Sequence, residues 1–169
     1  MLNFIYLVLF VMFSFVVNAD QKDKRLDALF SLLINSNDNE EIIQTTENIW
    51  KIWLETNDPL IENEFKTALQ LMDEGKLYKS IKIFTDVIEK NPDFAEAWNK
   101  RATVYFLIGD FNSSIFDIKK TLILEPRHFG AMDGLALIFI SLRQYEQAVD
   151  IYEKMLKIFP NNFSIINKQ

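Results

Sequence analysis

The chain has 169 residues, a net charge of −6, 49% hydrophobic residues, one histidine and no cysteine. This hydrophobic content excludes a wholly disordered chain, and the absence of cysteine excludes disulfide scaffolds, thiolate metal sites and thiol nucleophiles. The single histidine excludes sites that need two, and the acidic balance argues against a nucleic-acid partner, whose phosphates require a basic face.

The first 19 residues form an apolar segment without a charged side chain, and they read MLNFIYLVLFVMFSFVVNA. The run is shorter than the about 20 apolar residues that span a bilayer. Its small residues before Ala19 are typical of a secretory signal peptide that is cleaved after Ala19. We therefore expect a periplasmic or secreted protein. The alternative is that residues 1–19 are retained as an N-terminal anchor, and no other membrane contact is expected.

Residues 20–58 contain two stretches with the apolar spacing of amphipathic helices. The stretches are residues 25–34 and 40–55, and the polar residues 35–39 separate them. The pattern predicts an N-terminal helical hairpin outside the register of the chain that follows. We expect this hairpin to act as a cap, because the terminal units of helical repeats are atypical and cover an exposed apolar face.

A period of 34 residues organises the rest of the chain, as the prolines at positions 92, 126 and 160 show. Other columns in the same phase are Ala68/Ala102/Ala136, Ser80/Ser114/Ala148, Gly75/Gly109/Arg143 and Leu77/Phe111/Tyr145. The small residues allow two helices to approach closely, glycine accepts the left-handed end of a first helix, and proline stops a second helix. The period predicts three hairpins of antiparallel helices and a tail. Their ranges are 61–94, 95–128, 129–162 and 163–169.

These columns resemble the tetratricopeptide repeat. The middle unit matches best, with Trp98, Ala102, Tyr105, Gly109, Phe111, Ser114 and Pro126 at the positions of the family motif. The third unit lacks the turn glycine, and the first has Glu64 and Thr67 where the family has Trp and Leu. The stretch from Phe94 is also similar to small exported tetratricopeptide proteins of bacteria. The resemblance implies an all-α solenoid, a right-handed superhelix of helical hairpins.

In this family the first helices of successive units line a concave groove that holds a peptide or helix of a partner. Carried onto this chain, the groove residues are Phe65, Leu69, Met72, Asn99, Thr103, Phe106, Asp133, Leu137 and Ile140. The resemblance thus implies an apolar groove with three polar points, which suits a partner with apolar anchors. Gly130 and Gly134 would allow a ligand backbone or another helix to come close. The alternative is that the N-terminal hairpin fills this groove and makes its residues part of the core.

One subclass of the family holds the C-terminal carboxylate of its partner with Lys, Asn, Asn, Lys and Arg side chains. The corresponding residues here are Phe65, Leu69, Lys100, Gly130 and Gly134. Four of these five positions lack the required side chain, so we do not expect this carboxylate clamp.

Two polar residues occupy unusual places. Arg101 stands where the repeat normally has a buried Leu, and we expect a structural arginine that pairs with Asp117 or Glu125 rather than a phosphate-binding residue. His128 is expected to be a solvated or hydrogen-bonded structural residue. The sequence offers no acid–base pair, metal site or cofactor site, so an enzyme is not expected.

The sequence therefore favours a non-catalytic, exported adaptor that binds a protein or peptide partner in its groove. The alternative is a self-associating structural module, a homodimer joined through its C-terminal end. This alternative requires an exposed apolar patch at Tyr145, Val149, Tyr152 and Leu156 of the last helix. We favour the interpretation that residues 163–166 fold back and cover enough of this helix.

Overall fold

The computed structural model describes residues 23–162, and this part of the chain is all-helical. Its helices are α1 (Lys24–Asn35), α2 (Asn39–Leu54), α3 (Pro59–Asp73), α4 (Leu77–Lys90), α5 (Ala95–Leu107), α6 (Phe111–Leu124), α7 (Phe129–Ser141) and α8 (Tyr145–Ile158). None of these helices is long and apolar enough to cross a membrane. The predicted signal peptide and the predicted tail lie outside the described residues.

The helices pair as α3 with α4, α5 with α6, and α7 with α8. Each pair is joined by a tight turn whose central residue has a positive φ: 71° at Gly75, 79° at Gly109 and 58° at Arg143. The hydrogen bonds of the turns also correspond, since the N–H groups of these residues donate to Met72, Phe106 and Ile140. Residues at the same phase of the period thus adopt the same conformation.

The small residues of the period lie where the two helices of a hairpin meet. Ala68 and Ala102 are buried on the first helices, opposite Ser80 and Ser114 on the second helices. Ser80 Oγ donates a hydrogen bond to the Ala68 carbonyl, and Ser114 Oγ donates one to the Ala102 carbonyl, both at 2.8 Å. The column therefore provides close packing and a polar link in the first two hairpins.

Arg101 connects the first two hairpins. Its guanidinium donates to both oxygens of Asp117 at 2.7 and 2.8 Å and to Thr85 Oγ1 at 2.9 Å. Burial opposes the charge, but the bonds to Asp117 outweigh it and raise the pKa of Arg101. The prediction of a structural arginine paired with Asp117 is confirmed. Glu125, the other expected partner, binds Arg127 instead.

The N-terminal hairpin packs against the last two repeat hairpins, with α1 on α8 of the third and α2 on α5 of the second. The shared core consists of Leu26, Phe30, Leu33, Ile42, Ile49 and Trp53 from the hairpin with Phe129, Met132, Met155 and Phe159. Asn161 Nδ2 donates to the Ser36 carbonyl at 2.6 Å, and Arg127 pairs with Asp27 at 2.7 Å. The cap thus covers the C-terminal end of the array, which its place in the sequence does not reveal.

This arrangement covers part of the last helix. Tyr152 and Leu156 are half-buried and pack against the shared core, whereas Tyr145 and Val149 are 60% and 53% exposed. The second half of α8 is therefore covered by the N-terminal hairpin, and its first half faces solvent.

Candidate functional site

A cleft of about 210 Å³ lies between α5 and α7, the first helices of the second and third hairpins. Its lining residues are Asn99, Ala102, Thr103, Phe106, Ser114, Ile118, Gly130, Asp133, Gly134 and Leu137. The cleft exists because several of these residues are small. A Cβ atom on Gly134 would reach Ile118 Cδ1 at 3.6 Å, so glycine at this position leaves space that any other side chain would enter.

The polar residues of the cleft are held in place by neighbouring groups. Asn99 Nδ2 donates to Glu96 Oε2 at 3.0 Å, and Thr103 Oγ1 donates to the Asn99 carbonyl at 3.0 Å. Asp133 accepts a hydrogen bond from the Tyr152 hydroxyl at 3.3 Å. Among the described lining residues, Asp133 alone carries a charge.

A buried polar cluster lies behind Asn99, where Glu96 and His128 are both fully buried. His128 Nδ1 accepts the Ala131 N–H at 3.1 Å, so the ring proton is on Nε2 and is donated to Glu96 Oε2 at 2.9 Å. Lys100 Nζ lies 3.0 Å from Glu96 Oε1 as an ion pair. Burial alone would raise the pKa of Glu96, but His128 and Lys100 lower it below its ordinary value. The expectation of a hydrogen-bonded structural histidine is confirmed, and the solvated alternative is wrong.

Helix α2 lies beside Gly130 at one end of the cleft and carries two tryptophans. Trp53 stacks on the His128 ring with centroids 4.0 Å apart, and the Lys100 ammonium lies 5.2 Å from the Trp50 ring centroid. Trp50 also covers Gly130, where an added Cβ would come within 2.6 Å of its ring. The N-terminal hairpin therefore occupies the part of the first-helix face around Gly130 and leaves the α5–α7 cleft open.

Eight of the nine residues predicted for the groove separate into three groups. Asn99, Thr103, Phe106, Asp133 and Leu137 line the cleft together. Leu69 and Met72 are half-buried against the core of the first hairpin. Ile140 is 39% exposed and is not one of the lining residues.

The expectation that Phe65 lines the groove is wrong. Its side chain is 3% exposed and packs against Phe84 and Phe94, with ring centroids 5.6 and 4.9 Å away. Ala102 and Ser114 are buried and line the cleft, but they were not among the residues predicted for the groove. The signal for them was present, because both belong to the columns of small residues.

No group of His, Cys, Asp or Glu side chains within residues 23–162 is arranged to hold a metal ion. The buried carboxylates of this region bind arginine, lysine or histidine, as Asp117, Glu125 and Glu96 do.

Comparison with known proteins identifies the family. A family model described as "Tetratricopeptide repeat" matches residues 131–162. A TPR repeat-containing protein of Rhizobium etli is 32% identical over 144 residues, which cover 85% of this chain and 71% of that protein. The chain is a tetratricopeptide-repeat protein.

Two further similarities concern proteins of the same architecture. Hsp70-Hsp90 organizing protein 1 of Glycine max is 26% identical over 111 residues, which cover 65% of this chain but only 19% of that protein. The first TPR domain of Spaghetti, solved with an HSP90 peptide, matches with a TM-score of 0.60 and 22% identity over 64% of this chain and 86% of that domain. The structural match at this identity shows the shared fold.

This tetratricopeptide-repeat protein uses the five carboxylate-clamp positions for other contacts. Phe65 is part of the core of the first hairpin, and Leu69 packs against that core. Gly130 lies beneath Trp50. Gly134 opens the cleft, and the Lys100 ammonium is paired with Glu96. These positions together do not present the cationic and amide groups that a C-terminal carboxylate requires.

Proposed function

We propose that the chain is a non-catalytic protein-interaction module that binds a peptide or helix of a partner protein in the α5–α7 cleft. The observation that carries this proposal is an open, mainly apolar cleft on the first-helix face beside a region that α2 already fills. Clefts of this kind, with a few fixed polar groups, are typical of binding sites. The relatives support the proposal, because one is named as an organizer of Hsp70 and Hsp90 and another is solved with an HSP90 peptide.

The partner is not proposed to be a chaperone tail held by its terminal carboxylate. Only Lys100 of the five clamp positions carries a suitable side chain, and its charge is used by Glu96. We further propose that the module acts outside the cytoplasm, since residues 1–19 have the pattern of a signal peptide. N-terminal sequencing of the mature protein tests this part: a first residue of Asp20 supports cleavage, and an intact Met1 contradicts it.

The binding proposal is tested by photo-crosslinking in cells. A photoreactive residue is placed at Thr103, which is exposed at the cleft, and in a control protein at Glu153, which is exposed on α8. We expect partner adducts from Thr103 that are absent from Glu153 and are lost when Phe106→Glu is added. Circular dichroism checks that this variant folds. The same adducts from both positions, or no loss with Phe106→Glu, would contradict binding in the cleft.

A second candidate function is self-association through α8, which the exposure of Tyr145 and Val149 favours. Light scattering of the purified chain distinguishes the two proposals. A concentration-dependent dimer that Val149→Glu abolishes and Phe106→Glu preserves would support self-association. A monomer at all concentrations would contradict it.

A further inference from the structure

We propose that the α5–α7 cleft takes one large apolar side chain of the partner, and that a lysine or arginine next to this anchor pairs with Asp133. This inference rests on the proposed function and specifies the chemistry of the segment that binds.

The size of the cleft matches a single side chain. Its volume is about 210 Å³, and an engineered apolar cavity of about 150 Å³ is enough to bind benzene. A leucine, methionine or phenylalanine side chain therefore fits, whereas two of them do not. The walls are suited to such an anchor, because Phe106, Ile118 and Leu137 are apolar and Gly134 leaves room between them.

The boundaries of the cleft prevent a second anchor on the α2 side. Trp50 covers Gly130 at that end, and Trp53 is held by its stack on the buried His128. A partner that follows α7 past Gly130 would have to displace these rings. The bound segment therefore makes its principal apolar contact at one place, around Gly134.

The charge around the cleft favours a basic neighbour for the anchor. Among the described residues that line the cleft, Asp133 carries the charge, and it also accepts a hydrogen bond from the Tyr152 hydroxyl. Lys100 is turned toward Glu96 and the Trp50 ring. The net charge of the chain is −6. An opposite charge on the partner would make the potentials complementary and speed association.

The test uses four short fluorescein-labelled Gly-Ser peptides with a central Lys-Leu, Lys-Ala, Glu-Leu or Glu-Ala pair. Fluorescence anisotropy measures their binding to the full chain. We expect the Lys-Leu peptide to bind about tenfold or more tightly than the Lys-Ala peptide, because the alanine leaves most of the cleft unfilled. We also expect a preference for Lys-Leu over Glu-Leu that decreases as salt is added.

Variants of the chain separate the two contacts. Asp133→Asn should remove the preference for lysine over glutamate and keep the preference for leucine over alanine. Gly134→Leu should abolish binding, because its side chain fills the cleft. If Gly134→Leu does not fold, Thr103→Trp at the exposed rim serves the same purpose. The controls are Asp150→Asn and Ser141→Leu, which make the same chemical changes at exposed residues.

The proposal is overturned if leucine and alanine peptides bind equally, if no peptide binds at millimolar concentration, or if Gly134→Leu binds like the parent. These outcomes are distinct from failure of the proposed function. If Thr103 gives partner adducts but the peptides show no preference, the proposed interaction module is retained, and the proposal of an apolar anchor with a basic neighbour is rejected. If neither partner adducts from Thr103 nor any peptide preference is observed, both proposals are rejected.

Discussion

Arg143 occupies the central position of the third turn, where the first two turns have Gly75 and Gly109. It adopts the same left-handed conformation as these glycines. Its φ is 58°, compared with 71° at Gly75 and 79° at Gly109. A residue with a Cβ atom pays roughly 1–2 kcal/mol in this conformation. The third turn therefore stores strain that the other two avoid.

Replacing Arg143 with glycine should stabilise the protein by about 1 kcal/mol, because the left-handed conformation then costs little. Urea unfolding followed by circular dichroism measures the change. The matched control is Gly109→Ala, which should destabilise the protein by a similar amount. An unchanged unfolding midpoint for Arg143→Gly would show that the third turn is not strained.

Because of Glu96, the free energy of unfolding should decrease as the pH falls into the acid range. The pKa of Glu96 is lowered in the folded protein by His128 and Lys100, although burial acts in the opposite direction. A carboxyl with a lowered folded pKa stabilises the fold above its unfolded pKa, and this stability is lost as the pH falls. The loss should therefore begin near the ordinary glutamate pKa of about 4.3 and continue below it.

The variant Glu96→Gln should lose this part of the pH dependence. At neutral pH we expect it to be less stable by about 1–3 kcal/mol, since the bonds to His128 and Asn99 are no longer made by a charged group. Thermal melts between neutral pH and acid measure both effects, with the exposed Glu153→Gln as the control. Parallel pH profiles for the parent and Glu96→Gln would count against the role of this carboxylate.

At the scale of elements, α7 carries two glycines four residues apart that have different roles. Gly130 lies beneath the Trp50 ring and allows α2 to approach, whereas Gly134 faces the open cleft. Sequence spacing alone treats the two positions as equivalent. Their environments differ because α2 packs over only one of them.

Alanine substitutions at the two glycines should have opposite effects. Gly134→Ala should stabilise the protein by about 0.5–1 kcal/mol, because alanine favours the helix and its Cβ makes an ordinary contact with Ile118. Gly130→Ala should destabilise it by about 1–3 kcal/mol, because the Cβ would overlap Trp50. Unfolding midpoints test the signs. Tryptophan fluorescence should change with Gly130→Ala, and equal effects of the two variants would contradict the docking of α2 on Gly130.

At the scale of the whole molecule, the N-terminal hairpin alters which end of the array is least protected. In a repeat array each unit is stabilised mainly by its neighbours, so the terminal units open most readily. Here the third hairpin shares a core with α1 and α2, and Asn161 links it to the Ser36 carbonyl at the end of α1. Arg127, at the end of the second hairpin, also pairs with Asp27 of α1. The first hairpin, α3 with α4, instead makes its main contacts with α5.

Hydrogen exchange should therefore show faster local opening in α3 and α4 than in α7 and α8. The variant Trp53→Ala should reverse this order, because it removes a fully buried side chain from the core shared with the third hairpin. Leu60→Ala, at a residue that is 75% exposed, is the control. If α7 and α8 exchange as fast in the parent as in Trp53→Ala, the N-terminal hairpin does not protect the third hairpin.

The sequence by itself determined the all-α fold class, the glycine turns and a structural role for Arg101, with Asp117 as one of its two expected partners. These features depend on contacts within a hairpin or between adjacent ones, and the period of 34 residues repeats those contacts along the chain. The family resemblance placed Asn99, Phe106 and Leu137 on the groove side of the first helices, and the structure brings these three residues together in the cleft.

Only the tertiary structure decided which of the groove residues remain open and where the N-terminal hairpin lies. Phe65 and Phe106 both lie on first helices, but Phe65 is buried by Phe84 and Phe94 while Phe106 lines the cleft. The hairpin packs on Phe129 and Gly130, about a hundred residues away along the chain. Apolar spacing shows that a face must be buried, but it does not name the partner, because hydrophobic burial is not directional.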